Sequence, residues 1–432
     1  MANTDINFKM DQNLFSLVNS VMAQSKGANP NELATRVSGL ILSYCVKEGA
    51  SDIHIEPLAN DVTIRMRVDG MLRDLIKYPK TNLPITARIR VLSGFPPQAA
   101  TAYSPEDGRF QAMVDGRAVQ FRVSSFPTMH GEKLVVRVLD IGKGKVSLES
   151  LGFTVQTLKK LRSMIKTPSG MFIVAGLTGS GKTTTLCSIL QELSSPELNI
   201  MTVEDPVEYE IERVTHSQIN GKAGFSFAEA LRCILRQDPN IIMLGEIRDK
   251  ETAEIALRAA TSGHMIFSTV HAATTIGVVH RFLSMDIEPY MVGSTLTGVL
   301  AQRLVRRVCS KCAEPTAPDA NFFAELIKEL GPAQTNAVSE LIKSTGGRFL
   351  KAKGCPECAF TGYRGRIGIF ELLPVTAKTR ELIMTGGKTN FAEIHANALA
   401  SGMKPMIIDA IEKLWMGVTT QEEIARTLSG KM

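Results

Sequence analysis

The pattern of apolar and polar residues changes character about a third of the way along the chain. From residue 31, apolar residues first recur every three to four positions, which predicts a helix, and then alternate singly with polar residues, which predicts strands. Two alternating stretches, "DVTIRMRVDGMLRDL" and "GRFQAMVDGRAVQFRVSS", each contain an Asp-Gly pair of the kind that closes two-residue hairpins. With a further strand at "EKLVVRVLD", residues 31–140 are predicted to form a small α/β domain.

Beyond residue 150 the apolar residues come in short unbroken runs. The runs are residues 171–175, 200–203, 241–244 and 265–270, and helical stretches separate them. Continuous apolar strands that alternate with helices indicate a parallel sheet covered by helices on both faces. Residues 151–305 are therefore predicted to be an α/β domain built on such a sheet.

The remaining segments have weaker patterns. Residues 1–30 are polar and are predicted to be a loose or helical lead-in, and the Gly/Lys/Ser-rich residues 141–150 are predicted to be a linker. Residues 306–432 carry paired cysteines, a polar helical region and terminal helices. Thr420 and Glu423 have the spacing of a capping box that opens the last helix.

Composition and charge exclude several classes of protein. Apolar residues make up 44% of the chain, but no run approaches the roughly 18 residues of a membrane-spanning helix, and the N-terminus lacks a signal-peptide pattern. A cytoplasmic location is therefore expected. The net charge of +6 is mild, and no stretch interleaves aromatic with basic residues, so nucleic-acid binding is not expected. The basic residues 301–309, "AQRLVRRVC", are predicted to be a helix that packs against another subunit, with a membrane-binding patch as the alternative.

The segment "GLTGSGKTTTL" has the pattern of a phosphate-binding loop, and it lies between an apolar run and a helical stretch as such a loop requires. Its backbone N–H groups and the positive end of the helix are expected to bind the β-phosphate of a nucleotide. Lys182 is expected to reach the β- and γ-phosphates, and Thr183 to ligate Mg²⁺. The residues expected to bind the nucleotide are Gly176, Thr178, Gly179, Ser180, Gly181, Lys182, Thr183 and Thr184.

Hydrolysis also needs acidic groups that orient water and hold the metal. Glu204, Asp205 and Glu208 follow one apolar run, and Glu246 follows the next. The carboxyl ends of parallel strands form the ligand side of such a sheet. Each residue alone could be an ordinary loop acid, but together they indicate an active site.

Two histidines, His264 and His271, flank the apolar run at residues 265–270. A single histidine at such a place is commonly a hydrogen-bonded core residue. A histidine beside a γ-phosphate can instead donate a hydrogen bond that reports whether the phosphate is present.

Four of the seven cysteines form two C-x-x-C pairs, "CSKC" and "CPEC". Two such pairs supply four thiolates, which make a closed tetrahedral zinc site. Structural disulfides are not expected in the cytoplasm, and a redox C-x-x-C usually occurs once. The predicted zinc ligands are Cys309, Cys312, Cys355 and Cys358.

In these motifs the chain resembles the secretion ATPase superfamily, which powers type II secretion and type IV pilus assembly. The resemblance covers residues 35–432. It rests on "GLTGSGKTTTL" (Walker A), "TVEDPVEY" (Asp box), "LRQDPNIIMLGEIRD" (Walker B) and "TSGHMIFSTVHA" (His box), and in the first half on "ASDIHIEP", "RMRVDG", "PEDGRF" and "FRVSSFPTMHGEKLVVRVL".

The resemblance implies a homohexameric ring of two-domain subunits. Each subunit would have a PAS-like α/β domain and a RecA-like P-loop ATPase domain, followed by a zinc-binding, helical C-terminal subdomain. ATP would lie between the first two domains. The protein would be cytoplasmic and peripheral at the inner membrane, where a polytopic platform protein and the pilin assembly machinery are the implied partners.

The resemblance also assigns roles to individual residues. Glu208 would activate water, and Glu246 would hold Mg²⁺ through water, although Gly245 stands where many Walker B segments carry Asp. Arg109 and Arg122 would reach ATP from the first domain, as arginine fingers do. Without the resemblance, either arginine would be interpreted as a strand-surface charge. His271 would sense the γ-phosphate, with His264 the weaker candidate.

Within the family, the paired cysteines resemble those of assembly-type members, whereas retraction-type ATPases generally lack them. Only about 30 residues precede the PAS-like region, which fits a short-N-terminus variant such as that of a type IVb or thin pilus system. A pilus assembly motor is therefore favoured. The alternatives are a type II secretion ATPase, a retraction motor, a nucleic-acid motor and a non-catalytic nucleotide switch.

Overall fold

A computed structural model describes residues 18, 29–80, 83–96, 104–139, 146–319, 321–324, 335–336, 338–340, 347–385 and 390–428. The chain divides into two compact units, Met1–Gly144 and Lys145–Met432. Most of the predicted lead-in, and residues 141–145 of the predicted linker, lie outside the described residues.

The first unit is built on a six-stranded antiparallel sheet with the order β3-β2-β1-β6-β5-β4. Its elements are α1 (Pro30–Lys47), β1 (Asp52–Pro57), β2 (Asp61–Val68), β3 (Met71–Pro79), α2 (Ile85–Leu92), β4 (Glu106–Val114), β5 (Arg117–Thr128) and β6 (Gly131–Leu139).

Both predicted hairpins of this unit are present. Asp69 and Gly70 have φ of 50° and 84°, and Asp115 and Gly116 have φ of 49° and 75°. Positive φ at both central residues defines the type I′ turn, whose twist matches that of the strands. One face of the sheet packs its alternate apolar residues against α1 and α2, and the other face carries the intervening polar residues.

The second unit is built on a seven-stranded sheet with the order β15-β12-β7-β11-β10-β8-β9. All neighbouring strands are parallel except β15, which is antiparallel to β12. Buried apolar clusters lie on both faces of the sheet, as predicted for a sheet with helices on each side. The elements are α3 (Val155–Ile165), β7 (Gly170–Ala175), α4 (Lys182–Leu193), β8 (Ile200–Glu204), β9 (Val214–Gln218), α5 (Phe227–Ile234), β10 (Ile241–Leu244), α6 (Lys250–Thr261), β11 (Met265–Val270), α7 (Thr275–Ser284), α8 (Pro289–Thr295), β12 (Leu296–Val308), β13 (Ala313–Pro315), β14 (Leu350–Ala352), β15 (Tyr363–Pro374), α9 (Ala377–Met384), α10 (Phe391–Ala400), α11 (Met406–Trp415) and α12 (Gln421–Leu428).

The four apolar runs are strands β7, β8, β10 and β11, and the mixed α/β fold class is confirmed. The prediction of a helix at residues 301–309 is wrong, because residues 301–308 belong to β12. β12 lies between β7 and β15, and its residues Val299, Leu300 and Ala301 are completely buried. The strand is thus specified by two neighbours that are distant in sequence.

The capping box predicted for the last helix is half formed. The Thr420 hydroxyl accepts a hydrogen bond from the backbone N–H of Glu423 at 3.3 Å. The Glu423 carboxylate, however, accepts hydrogen bonds from Arg306 and Arg426. Among the described residues, no helix is both long and apolar enough to cross a lipid bilayer.

Candidate functional site

The candidate site lies at one edge of the second unit's sheet, where four parallel strands end together. Ala175 of β7 pairs with Val270 of β11, and Leu244 of β10 pairs with Ser268 of β11 and Val203 of β8. The phosphate-loop residues, the acidic residues and His271 therefore leave the sheet at the same edge. Ligands of parallel α/β sheets bind at this edge.

The phosphate loop has the conformation that its glycines permit. Gly179 and Gly181 have φ of 77° and 88°, which is a left-handed conformation that disfavours other residues. A Cβ at Gly176 would lie 2.3 Å from the Ser180 Oγ and 2.7 Å from the Gln302 carbonyl oxygen. Helix α4 begins immediately at Lys182, so its N-terminal N–H groups face the loop.

The Lys182 ammonium lies over this loop. It donates hydrogen bonds to the carbonyl oxygens of Gly176 at 2.9 Å and Leu177 at 3.2 Å. Burial lowers the pKa of Lys182, and the charge of Glu246 acts in the opposite direction. Of the remaining predicted nucleotide-binding residues, Thr178 and Gly179 are exposed, Ser180 is buried, and Thr183 and Thr184 are half-buried at the start of α4.

Gln302 on β12 holds the phosphate loop in place through two hydrogen bonds. Its side chain accepts a hydrogen bond from the Thr185 hydroxyl and donates one to the Ser180 carbonyl oxygen, both at 2.8 Å. Gln302 is 1% exposed, so both bonds are shielded from water. Sequence reasoning missed this residue, because it lies more than a hundred positions beyond the loop and inside the segment that was predicted to be a helix.

Glu246 lies beside two basic side chains. It pairs with Arg248, and its Oε2 lies 3.4 Å from the Nε2 of His271. The hydrogen bond from Arg248 is the main reason that the pKa of Glu246 is lowered, so the carboxylate is ionised at neutral pH. Sequence reasoning did not assign a role to Arg248, although it lies in the quoted "GEIRD" segment.

Glu208 lies on the loop after β8, close to the phosphate-loop helix. Burial raises the pKa of Cys187 on α4 to about 12, with further contributions from the charges of Glu204 and Glu208. Glu204 itself is buried, and it accepts hydrogen bonds from Thr202 at 2.7 Å and from His216 at 2.8 Å. Glu208 and Glu246 thus both act electrostatically on residues of α4, Glu208 on Cys187 and Glu246 on Lys182.

The two histidines of the predicted His box lie at opposite ends of β11. His271 follows the strand at the phosphate-loop edge, beside Glu246. His264 precedes the strand, which is six residues long, or roughly 20 Å at the usual rise per residue. The Nδ1 of His264 lies 3.0 Å from the carbonyl oxygen of Ala259 at the end of α6, which is a structural contact away from the candidate site.

Arg109 and Arg122 belong to the first unit. They are direct cross-strand partners on β4 and β5, on the sheet face opposite the apolar core. Arg122 also lies opposite Arg137 of β6. Arg137 in turn pairs with Asp52.

The four predicted zinc ligands come together as predicted. Their Sγ atoms all lie within 4.8 Å of one another, with separations of 3.9 Å for Cys309–Cys355 and 3.8 Å for Cys312–Cys358. A tetrahedral zinc ion with bonds of about 2.3 Å places its sulfur ligands roughly 3.8 Å apart, so this group fits zinc.

Backbone hydrogen bonds prepare one of these thiols for a metal. The Sγ of Cys358 accepts hydrogen bonds from the backbone N–H groups of Cys355 at 3.2 Å and Gly362 at 3.1 Å. Burial opposes ionisation of Cys358, but these N–H groups, together with the side chains of Cys355 and Cys312, outweigh it and lower the pKa to about 7. A thiolate is the form that binds metal.

Comparisons with known proteins agree with this geometry. A family model described as "Type II/IV secretion system protein" matches residues 28–426. The chain is 42% identical over 387 residues to the Type II secretion system ATPase E of Vibrio cholerae, which covers 89% of this chain and 73% of that protein. It is 39% identical over 412 residues to the Type IV pilus assembly ATPase PilB of Thermus thermophilus, which covers 94% of this chain and 45% of that protein.

Two solved structures share the fold. The ATPase DotB of Legionella pneumophila aligns with a TM-score of 0.67 at 20% identity, covering 91% of this chain and 95% of that one. The pilus retraction motor PilT with bound ADP aligns with a TM-score of 0.60 at 23% identity, covering 89% and 95%. With the family match spanning nearly all of the chain, the protein belongs to the type II/IV secretion system protein family, within the secretion ATPase superfamily.

Proposed function

We propose that this protein is a hexameric motor that hydrolyses ATP and uses the energy to assemble a type IV pilus through an inner-membrane platform protein. The observation that carries the proposal is the convergence of the phosphate loop, Glu208, Glu246 and His271 on one sheet edge in a member of this family. A nucleotide switch would need the loop but not this set of acids.

Each residue has a defined task in the proposed reaction, which transfers the γ-phosphoryl group of ATP to water. The loop and Lys182 hold the phosphates, while Thr183, and Glu246 through water, would hold Mg²⁺, which offsets the negative charge of the phosphates. Glu208 orients and deprotonates the attacking water. His271 contacts the γ-phosphate, and Arg109 and Arg122 stabilise the charge that develops on it.

Assembly is proposed over retraction because of the four cysteines. Their fit to a zinc ion supports the resemblance to assembly-type members, and zinc would fix the segment between the two C-x-x-C pairs. The proposed location is the cytoplasmic side of the inner membrane, with the platform protein as the docking partner and no role for nucleic acid.

Type II secretion is the second candidate. It is favoured by the 42% identity to a type II secretion ATPase over 73% of that protein's length. The two systems share the same chemistry and differ in the fibre that is assembled, so the site residues do not separate them.

A deletion of the gene in its host separates the candidates. The proposal predicts cells without surface pili, and restoration of the pili by wild-type protein but not by Lys182→Ala. Hyperpiliated cells would identify a retraction motor instead. Normal pili with loss of secreted enzymes would identify a type II secretion motor.

A further inference from the structure

The loop that carries Glu208 makes an unusually short connection between two neighbouring parallel strands. It spans residues 205–213, joins β8 to its parallel neighbour β9, and contains neither helix nor strand. Parallel neighbours are normally joined by a crossover of a dozen or more residues, usually with a helix that packs on the sheet. Without that helix, particular side-chain contacts must define the position of the loop.

His216 on β9 provides such contacts at both ends of the loop. Its Nδ1 lies 2.8 Å from the Oε1 of Glu204, the last residue before the loop. Its Nε2 accepts a hydrogen bond at 3.0 Å from the backbone N–H of Ile211, near the end of the loop. The imidazole therefore joins the two ends of the segment that presents Glu208.

The donors and acceptors define the tautomer of this histidine. A backbone N–H can only donate, so Nε2 of His216 carries no proton. Nδ1 therefore holds the proton of the neutral ring and donates it towards Glu204, with the Thr202 Oγ1 a second acceptor at 3.0 Å. The Thr202 hydroxyl in turn donates to Glu204 at 2.7 Å, so all three groups have partners.

Burial makes these bonds strong determinants of the loop position. The side chains of His216 and Glu204 are only 9% and 3% exposed, so water does not readily replace a lost bond. A second contact from β9 supports the first, because the Oε1 of Gln218 accepts a hydrogen bond from the backbone N–H of Val207 at 3.3 Å. The loop is thus held on both sides of Glu208.

We propose that His216 is a positioning residue for hydrolysis, which holds the loop so that the Glu208 carboxylate faces the attacking water. The inference rests on the proposed role of Glu208 and adds a residue that neither the motifs nor the resemblance assigned. The hydrogen-bond partners of His216 are Thr202, Glu204 and Ile211, and none of these residues belongs to the phosphate loop. Its loss should therefore reduce turnover while leaving phosphate binding by the loop at Gly176–Thr184 intact.

Two substitutions at one position separate positioning from general stability. His216→Phe keeps a planar ring but removes both hydrogen bonds, and we expect kcat to fall about 100-fold, as displacement of a catalytic group by about 1 Å does. His216→Gln keeps one donor and one acceptor, so we expect kcat to recover to within about fivefold of wild type, since the remaining misplacement is small. For both variants the dissociation constant of a fluorescent ATP analogue should stay within about threefold of the wild-type value, because the residues that bind the phosphates are unaltered.

The first control makes the same histidine-to-phenylalanine substitution at a position away from the candidate site. His395→Phe alters an exposed histidine on α10 and should leave kcat unchanged. Thermal unfolding of each variant checks that the fold is kept. If His216→Phe does not fold, Gln218→Leu at an exposed position tests the same idea, and kcat should fall with nucleotide affinity unchanged.

The outcomes distinguish the inference from the function on which it rests. Wild-type turnover by folded His216→Phe would overturn the inference, as would equal losses in the Phe and Gln variants or a parallel loss of nucleotide affinity. Glu208→Gln serves as the reference. If Glu208→Gln is inactive while His216→Phe is fully active, only the inference fails. If Glu208→Gln is fully active, the proposed role of Glu208 fails first.

Discussion

Among single residues, Glu423 shows how strongly a buried carboxylate depends on its partners. It is completely buried, and it accepts hydrogen bonds from Arg306 at 2.7–3.0 Å and from Arg426 at 2.6 and 2.8 Å. The Arg306 guanidinium lies 3.9 Å from the centroid of the Tyr363 ring, which favours the cation further. These contacts fasten α12 to β12.

We predict that Glu423→Gln lowers the free energy of unfolding by about 3–5 kcal/mol, because it removes one partner of a buried ion pair and leaves Arg306 without its counter-charge. Glu422→Gln, at the exposed neighbouring position, should change it by no more than about 0.5 kcal/mol. Denaturant unfolding of the three proteins measures both values. Equal effects of the two substitutions on the free energy of unfolding would contradict this prediction.

The pH dependence of this contribution has a definite sign. Burial opposes ionisation of Glu423, but the hydrogen bonds from Arg426 and Arg306 outweigh it and lower the pKa from its ordinary value of 4.5. A lowered pKa in the folded state adds stability above pH 4.5, which is lost as the pH falls below that value. The difference in the free energy of unfolding between wild type and Glu423→Gln should therefore become smaller as the pH falls below 4.5.

How far the sequence predicts a residue's role depends on where its partners are. The phosphate loop could be recognised because its glycines, lysine and threonine act within a few consecutive positions. The roles of Gln302 and His216 could not, because Gln302 contacts the phosphate loop and α4, His216 contacts β8 and the loop that follows it, and the spacing of these contacts in the sequence carries no period. Arg109 and Arg122 received a role only through the resemblance.

For whole elements, local signals were sufficient where neighbours in sequence are neighbours in the sheet. The hairpins at Asp69-Gly70 and Asp115-Gly116 were predicted because their turns require positive φ, which this residue pair tolerates. The strand at Leu296–Val308 was missed, because its hydrogen-bond partners β7 and β15 are remote and its arginines suggest a surface helix. Tertiary pairing overrides local pattern in such a strand.

The two cysteine pairs connect elements in a way that only the structure reveals. Cys309 follows β12 directly, and its backbone N–H donates to the Gly362 carbonyl oxygen at 2.8 Å, next to the start of β15. A zinc ion held by both pairs would therefore lock the ends of two hydrogen-bonded strands of the main sheet. Removal of the metal should weaken this end of the sheet.

We predict about one zinc ion per chain by elemental analysis, because four thiolates close one tetrahedral site. Cys355→Ser should lose most of this zinc and unfold at a lower temperature. Cys233→Ser, a cysteine outside the group, serves as the matched control and should keep the metal. Zinc at the wild-type level in Cys355→Ser would contradict the assignment.

In the whole molecule, Arg109 and Arg122 belong to the first compact unit and Glu208 to the second. The fold class and the phosphate site follow from patterns along the chain. The proposed hexamer and platform partner follow from the resemblance, because ring formation depends on surfaces whose partners are other chains. Family membership supports a motor of the secretion ATPase class. The gene deletion described above tests which fibre the motor assembles.

The central claim is that the sheet edge hydrolyses ATP with Glu208 as the base, and steady-state ATP hydrolysis by purified wild-type and Glu208→Gln proteins tests it most directly. The amide retains the size of the side chain but cannot accept the proton of water. We predict that turnover falls by about 100-fold or more, as expected for loss of a general base, while ATP binding is retained. Hydrolysis by Glu208→Gln at the wild-type rate would contradict the account.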